Sequence, residues 1–259
     1  MDLAIAGETA LVLGGTQGLG LACAQSLHEA GVNVVLVGRD EGKGKAAAAG
    51  LGSKAAFVAA DLADPNGRTA LFAAACEPFG APLILVTNAG GSPPGRFTEK
   101  SHDEWVKALE LNMLAAIEIA RLTLPAMLER RWGRIVNITS FVVREPYPNM
   151  VLANSIRVGL TGAMATLARE VAGEGVTVNN ILPGLMDTPA LQRVYKAQSQ
   201  AEGIGENEAK ARMAQLIPAQ RLGAGEDFGP LCAFLCSRHA GYITAQNIAV
   251  DGGLVRGLL

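Results

Sequence analysis

The sequence predicts an α/β fold: one domain, built as a doubly wound parallel sheet of about seven strands with helices on both faces. Short apolar runs alternate with helical stretches along the whole chain, at Ala10–Leu13, Val32–Val37, Phe57–Ala60, Leu83–Thr87, Arg134–Ile138, Val176–Leu182 and Ile243–Val250. A glycine-rich turn follows the first run and leads into a helix. The 259 residues, 49% of them hydrophobic, suffice for one sizeable core, and no repeat, low-complexity tract or second domain interrupts 1–259.

The first run has no polar alternation, which suits a strand covered on both faces. Gly14, Gly15, Gly18 and Gly20 follow it, around Thr16, Gln17 and Leu19. Glycine lets the chain turn tightly and lets backbone approach a ligand. The helix expected over Leu19–Glu29 turns unpaired N–H groups and its positive dipole end toward that turn, a site for a pyrophosphate. The alternative is a glycine-rich loop without a ligand.

Ligands on such sheets bind beyond the carboxyl ends of the strands, so the residues just after each run are the ones to read. The second run ends in Val37-Gly38-Arg39-Asp40, where a dinucleotide fold places the adenosine ribose. Arg39 can pair with a 2′-phosphate, which favours NADP(H); Asp40 keeps NAD(H) possible. After the third run, Asp61 and Leu62 can border the adenine, while Asp64 before Pro65 is the better helix cap. After the fourth, Asn88, Ala89 and Gly90 let backbone lie close to a cofactor, and Asn88 can cross-link strands. The Pro/Gly-rich stretch 92–97 reads as a loop at the cleft mouth, and Ser101 to Glu104 as a capping box opening a long helix from Asp103 to about Arg131, with Asn112 inside it.

The net charge of −2, with no block of like charge, argues against nucleic acid and anionic membranes as partners. Thr9 to His28 carries no charged residue, but its glycines and Gln17 break it, so neither a span nor a secretory signal is expected. Cys23, Cys76, Cys232 and Cys236 read as buried free thiols of a reducing cytoplasm, and the scattered His28, His102 and His239 offer no metal site.

With these motifs in place the chain resembles, over nearly its whole length, the short-chain dehydrogenase/reductase family in its β-ketoacyl-reductase-like branch. Leu13–Gly20 resembles the family's glycine motif, with Leu13 where threonine is common, and Thr87-Asn88-Ala89-Gly90 resembles its Asn-Asn-Ala-Gly. The resemblance implies a Rossmann fold, a catalytic asparagine at Asn112 and a catalytic serine at Ser140, which ends Gly133–Thr139. It implies a nicotinamide loop at Pro183-Gly184-Leu185-Met186-Asp187-Thr188, with Pro183, Gly184 and Thr188 against the cofactor, and a substrate lid over about 189–218, broken at Gly203–Gly205. Tyr242–Gln246 and Val250–Gly253 resemble its C-terminal strand. With the helix Glu226–Ser237, the last strand in the family builds a homo-oligomer, a tetramer or dimer.

The family's Tyr-x-x-x-Lys is where the sequence departs. Alignment on Gly159-Leu160-Thr161 puts Met150 at the tyrosine and Asn154 at the lysine. Methionine does no acid–base work; asparagine can bind ribose hydroxyls without charge. Tyr147, in the loop Arg144–Pro148, needs a nearby cation to act as a base near neutrality. Arg157, i+3 from Asn154 on the same helix face, can supply one, or bind a substrate carboxylate or phosphate. Otherwise Tyr147 packs at the rim and Arg157 pairs with Glu145 or reaches solvent.

The expectation is an NADP(H)-preferring oxidoreductase that moves a hydride to or from a carbonyl/alcohol carbon of a small-molecule or acyl-carrier substrate. Ser140 holds the substrate oxygen, Asn112 and Asn154 order a water and the ribose, and the proton comes from Tyr147, a water or a substrate group. The alternatives are a non-redox enzyme (dehydratase, isomerase or lyase) in the same cleft, or a non-catalytic NADP-binding protein.

Overall fold

The computed structural model describes residues 1–257. Seven parallel strands form one sheet in the order β3-β2-β1-β4-β5-β6-β7: β1 Thr9–Leu13, β2 Asn33–Gly38, β3 Ala55–Ala59, β4 Ile84–Thr87, β5 Gly133–Ile138, β6 Val176–Pro183 and β7 Asn247–Val250. The chain works outward from β1 to β3, then returns to the other side of β1 with β4. The loops after β1 and β4 therefore diverge and leave a crevice at the carboxyl ends of the strands. Strands β1, β4 and β5 are buried from end to end, as continuous apolar runs covered on both faces should be.

The helices form two layers. On one side α1 (Gly18–Glu29), with α2 (Glu41–Leu51) beside it, packs tightly on α9 (Gly225–Leu235). A Cβ at Gly229 would stand 2.5 Å from the Ala22 carbonyl oxygen, so glycine permits this approach. Cys23, Cys232 and Cys236 lie in this contact as fully buried free thiols; Cys76, expected to be buried as well, is half-buried. Hydrogen bonding to a neighbouring thiol (Cys23 for Cys232, Cys232 for Cys236), and after it burial, pushes both thiols far up, so both stay protonated.

On the other side lie α3 (Arg68–Cys76), α4 (His102–Leu109), α5 (Ala115–Glu129) and α6 (Val151–Val171). His102–Glu129 and Val151–Glu174 are long and apolar enough to cross a membrane by length and composition; here both pack on the sheet, on β4–β5 and β6. The segment expected to form a lid folds as a pair of helices, α7 (Pro189–Glu202) and α8 (Glu206–Gln215), broken at left-handed Gly203.

Two elements differ from expectation. The last strand begins at Asn247, because Ala245 has φ 58° and the turn before it is held by Asn179, whose Oδ1 accepts from the Gln246 N–H. The long helix opens on the expected Ser101/Glu104 capping box, but it is not uniform: Glu110–Leu114 form a π-turn between α4 and α5. That extra residue per turn places Asn112, 4% exposed, under the crevice.

Candidate active site

The crevice begins at the turn after β1. Gly14 and Gly18 both have φ +57°, where a side chain would be strained. A Cβ at Gly14 would meet the Asn88 carbonyl at 2.7 Å, and one at Gly20 the Gly14 carbonyl oxygen at 2.2 Å. Asn88 locks the arrangement by donating from Nδ2 to the Gly14 carbonyl at 3.0 Å, the strand cross-link the sequence suggested. Gln17 precedes α1 without capping it by its side chain, so the first N–H groups of α1 remain available to an anion. Gly90 and Gly91 border open space, and Thr188 faces Gly18 from across the crevice. A dinucleotide fits these residues: a bare-backbone cradle at a helix N-terminus for its diphosphate, and small residues after β4 for its nicotinamide half.

At the end of β2, the Arg39 side chain is 76% exposed and lies 4.0 Å from the Asp61 carboxylate. Asp40 is a cap. It accepts from the Lys43 N–H at 3.0 Å, and that bond holds its carboxyl below the usual range. Asp64 likewise caps the turn at Pro65, while Asp61 accepts from the Ala63 N–H, leaving Leu62 buried beneath the loop.

The reaction side is built from polar side chains. Thr87 donates to Asn137 Oδ1 (2.7 Å), Asn137 to Asn180 Oδ1 (3.0 Å) and Asn180 to Asn247 Oδ1 (2.7 Å), a ladder crossing β4 to β7. Each amide is satisfied by the next strand, so burial costs little and the register of the strand ends is fixed. Sequence reading missed this ladder; its only local signal was asparagine inside otherwise apolar runs.

Ser140 follows β5 with extended backbone, and its Oγ accepts only a long bond from the Val142 N–H, 3.4 Å. Beside it Arg157 turns inward. Nη1 donates to the carbonyls of Ile138 (3.0 Å) and Thr139 (2.8 Å), and Nη2 to Asn112 Oδ1 (3.4 Å). Asn112 in turn donates from Nδ2 to Ser92 Oγ at 3.3 Å. Among the described residues no carboxylate pairs with Arg157, and burial alone pulls its pKa down to about 10. It stays charged at neutral pH, with Nε–H and one Nη2 hydrogen lacking a protein acceptor.

Three expectations are corrected here. Tyr147 and Arg157 do not form a pair: Tyr147 is 39% exposed with its ring edge-on to Phe141, 5.5 Å between centroids, while Arg157 is drawn in by carbonyl oxygens. Arg157 meets neither Glu145 nor bulk solvent as its main partner. Asn154 spends its amide on the chain itself, accepting from the Tyr147 N–H (3.3 Å) and donating to the Tyr147 carbonyl (3.0 Å), which fixes the loop before α6. Met150 joins an apolar patch with Phe141, Val142 and Ala153.

Above the site, Gly184 meets Asp251 so closely that a Cβ would lie 2.6 Å from the Asp251 Cβ. The α7–α8 pair is tied to the Pro183–Thr188 loop through Asp187, which accepts from Lys210, from Gln192 (3.3 Å) and from Tyr195 (3.5 Å). The Lys210 bond, ahead of the smaller contributions, holds the Asp187 carboxyl low. No group of three metal-binding side chains occurs among the described residues.

Residues 14–255 match the family model described as enoyl-(acyl carrier protein) reductase. The chain belongs to the short-chain dehydrogenase/reductase family. It is 32% identical to the 3-oxoacyl-[acyl-carrier-protein] reductase FabG of Haemophilus influenzae over 248 residues, 96% of this chain and 98% of that one. It is 33% identical to the 2,3-dihydroxy-2,3-dihydro-p-cumate dehydrogenase of Pseudomonas putida, over 97% and 95% of the two chains. Among solved structures, the L-sorbose reductase of Gluconobacter frateurii, complexed with NADPH and L-sorbose, superposes with a TM-score of 0.95 at 31% identity over 100% of both chains. Actinorhodin polyketide ketoreductase with NADPH gives 0.91 at 30%, over 96% and 98%. As a member of this family the protein is an oxidoreductase with the family's Rossmann fold.

Proposed function

We propose that the protein is an NADP(H)-dependent reductase or dehydrogenase acting on a carbonyl/alcohol carbon of a small-molecule or acyl-carrier substrate, 3-oxoacyl-reductase-like but without the usual catalytic tyrosine and lysine. A bound NADP(H) supplies or accepts the hydride. The observation that carries the reading is an under-used Ser140 hydroxyl beside an uncompensated guanidinium, at the same sheet edge as the glycine cradle. Exposed Arg39 at the end of β2 supports NADP(H), since Asp40 is occupied as a cap; the NADPH complexes of its structural relatives agree.

Ser140 donates its hydrogen to the substrate oxygen. Arg157 fixes the peptide before Ser140 and brings positive charge to an oxygen that gains negative charge. The start of α6 offers no acid, because the Met150 thioether has no proton to give and the Asn154 carboxamide does not ionise. The proton therefore comes from water, or from Tyr147 at the lip. The apolar patch of Phe141, Val142, Met150 and Leu185 suits an aliphatic substituent next to the carbonyl. Free buried thiols fit a cytoplasmic setting. Exposed Val106, Leu109 and Val158 on the adjoining α4 and α6 fit a homo-oligomer.

The test is NADPH oxidation with a β-keto ester. Wild-type turnover that falls on the order of 10²–10³ in Ser140→Ala supports the reading. The absence of an acid on α6 favours one other reading, a non-redox enzyme. NADPH binding with no consumption across β-keto esters, ketoses and cyclic ketones would favour it, or a non-catalytic NADP-binding protein, over the reductase.

A further inference from the structure

Arg68, the first residue of α3, is 1% exposed and lies outside the crevice. Its guanidinium nevertheless reaches both halves of the site. Nε and Nη2 donate to the Leu62 carbonyl at 3.1 and 3.0 Å, in the loop after β3. Nη2 also donates to the Glu110 carbonyl (3.2 Å) and carboxylate (2.8 Å), and Nη1 to the Glu118 carboxylate (2.9 Å). Glu110 opens the π-turn, and its carbonyl takes the Ala115 N–H that defines that turn. Arg68 thus fills the second lone pair of the carbonyl on which the irregular turn depends.

A π-turn interrupts the regular hydrogen-bond ladder and persists only where its surroundings hold it. Arg68 is such a hold, and a rigid one: a planar fork with five donors, most of them engaged. The same packing continues inside. Leu62, Leu111, Asn112, Ala115 and Arg157 line one cavity of only about 10 Å³, room for no more than a single water. A shift of the Leu62 loop is therefore transmitted to the π-turn both through Arg68 and through direct packing.

We infer that Arg68 is a positioning residue that couples the adenine side of the crevice to the π-turn, so that seating the adenosine half of the cofactor sets Asn112 and, through it, Arg157. This rests on the proposed nucleotide site. The coupling is reciprocal, and a turn held from outside the crevice is one that ligand binding can tighten.

Hydrogen exchange with 2′,5′-ADP as the probe tests it, since that molecule has no nicotinamide half. In the wild-type protein the probe should protect 61–64, and also slow exchange at 110–115 by roughly 5-fold or more. In Arg68→Lys, which keeps the buried charge but cannot fork, protection of 61–64 should persist while the response at 110–115 is largely lost, leaving only what direct packing carries. Glu118→Gln, which leaves the Leu62 and Glu110 contacts in place, should keep both. A merely structural Arg68 would lower the melting temperature without separating the two segments. An unaltered response at 110–115 in Arg68→Lys, or none there in the wild-type protein when 61–64 responds, overturns the inference. If the probe protects nothing, the nucleotide site itself is wrong. The inference then falls with it.

Discussion

The two halves of the crevice are made in opposite ways. The half after β1 works by the absence of side chains: Gly14 and Gly20 bring backbone against backbone, Gly18 takes a left-handed turn, and the N–H groups are left bare. The half after β5 works by the presence of side chains, with the Thr87–Asn137–Asn180–Asn247 ladder beneath it and Arg157 bonded to three oxygens beside Ser140. A glycine cradle is set by local backbone and tolerates change elsewhere. A side-chain network depends on elements far apart in the chain, and can be re-plumbed while the fold stays put. Met150 and Asn154 carry no acid–base chemistry, and the strands beside them pair in regular register.

If that contrast is right, the cradle should be the more brittle half. Gly20→Ala places a methyl 2.2 Å from the Gly14 oxygen, so we expect a stability loss of about 1–3 kcal/mol and no measurable NADPH binding by calorimetry. Normal binding in this variant would erase the distinction.

Arg157→Met probes the other half. Losing an unpaired charge offsets losing its hydrogen bonds, so stability should change by under about 2 kcal/mol while turnover falls on the order of 10². A large drop in melting temperature with turnover per folded molecule intact would make Arg157 structural only.

Smaller effects sharpen the boundary between the halves. Arg39→Ser should reduce the preference for NADPH over NADH by about 10-fold or more, read from the two dissociation constants, with turnover at saturation unchanged. The lid latch should give the smallest signal. Lys210 holds the Asp187 carboxyl below its ordinary value of 3.8, so the latch is at full strength above that pH and is lost as pH falls below it. Proteolysis of the α7–α8 segment should therefore rise in acid for the wild-type protein. In Asp187→Asn it should be faster at neutral pH and flat with pH.

Much of this was legible before the fold was known. The seven apolar runs became seven strands, each within a few residues, because a strand buried on both faces leaves a continuous apolar record. The capping box at Ser101/Glu104 and the lid break at Gly203 are local chemistry and were read correctly. The π-turn was not legible: Glu110-Leu111-Asn112 has helical spacing, and only Arg68, distant in sequence, shows what holds the extra residue. Tyr147 and Arg157 looked like partners because they are near in sequence. Helix α6 turns Arg157 toward the end of β5, while Asn154 holds the Tyr147 backbone at the rim.

The sheet, the crevice and the bare turn beside it follow from apolar runs, glycine and chain connectivity, all of which can be read along the chain. Which polar groups meet inside emerges on folding: Asp40 serves as a cap, Asn154 bonds the loop before α6, and Arg157 stands charged beside Ser140 with no carboxylate partner among the described residues. A backbone conformation is chosen by a residue and its neighbours. A buried charge is placed by whichever distant oxygens can satisfy it, and those are known only once the strands are in register.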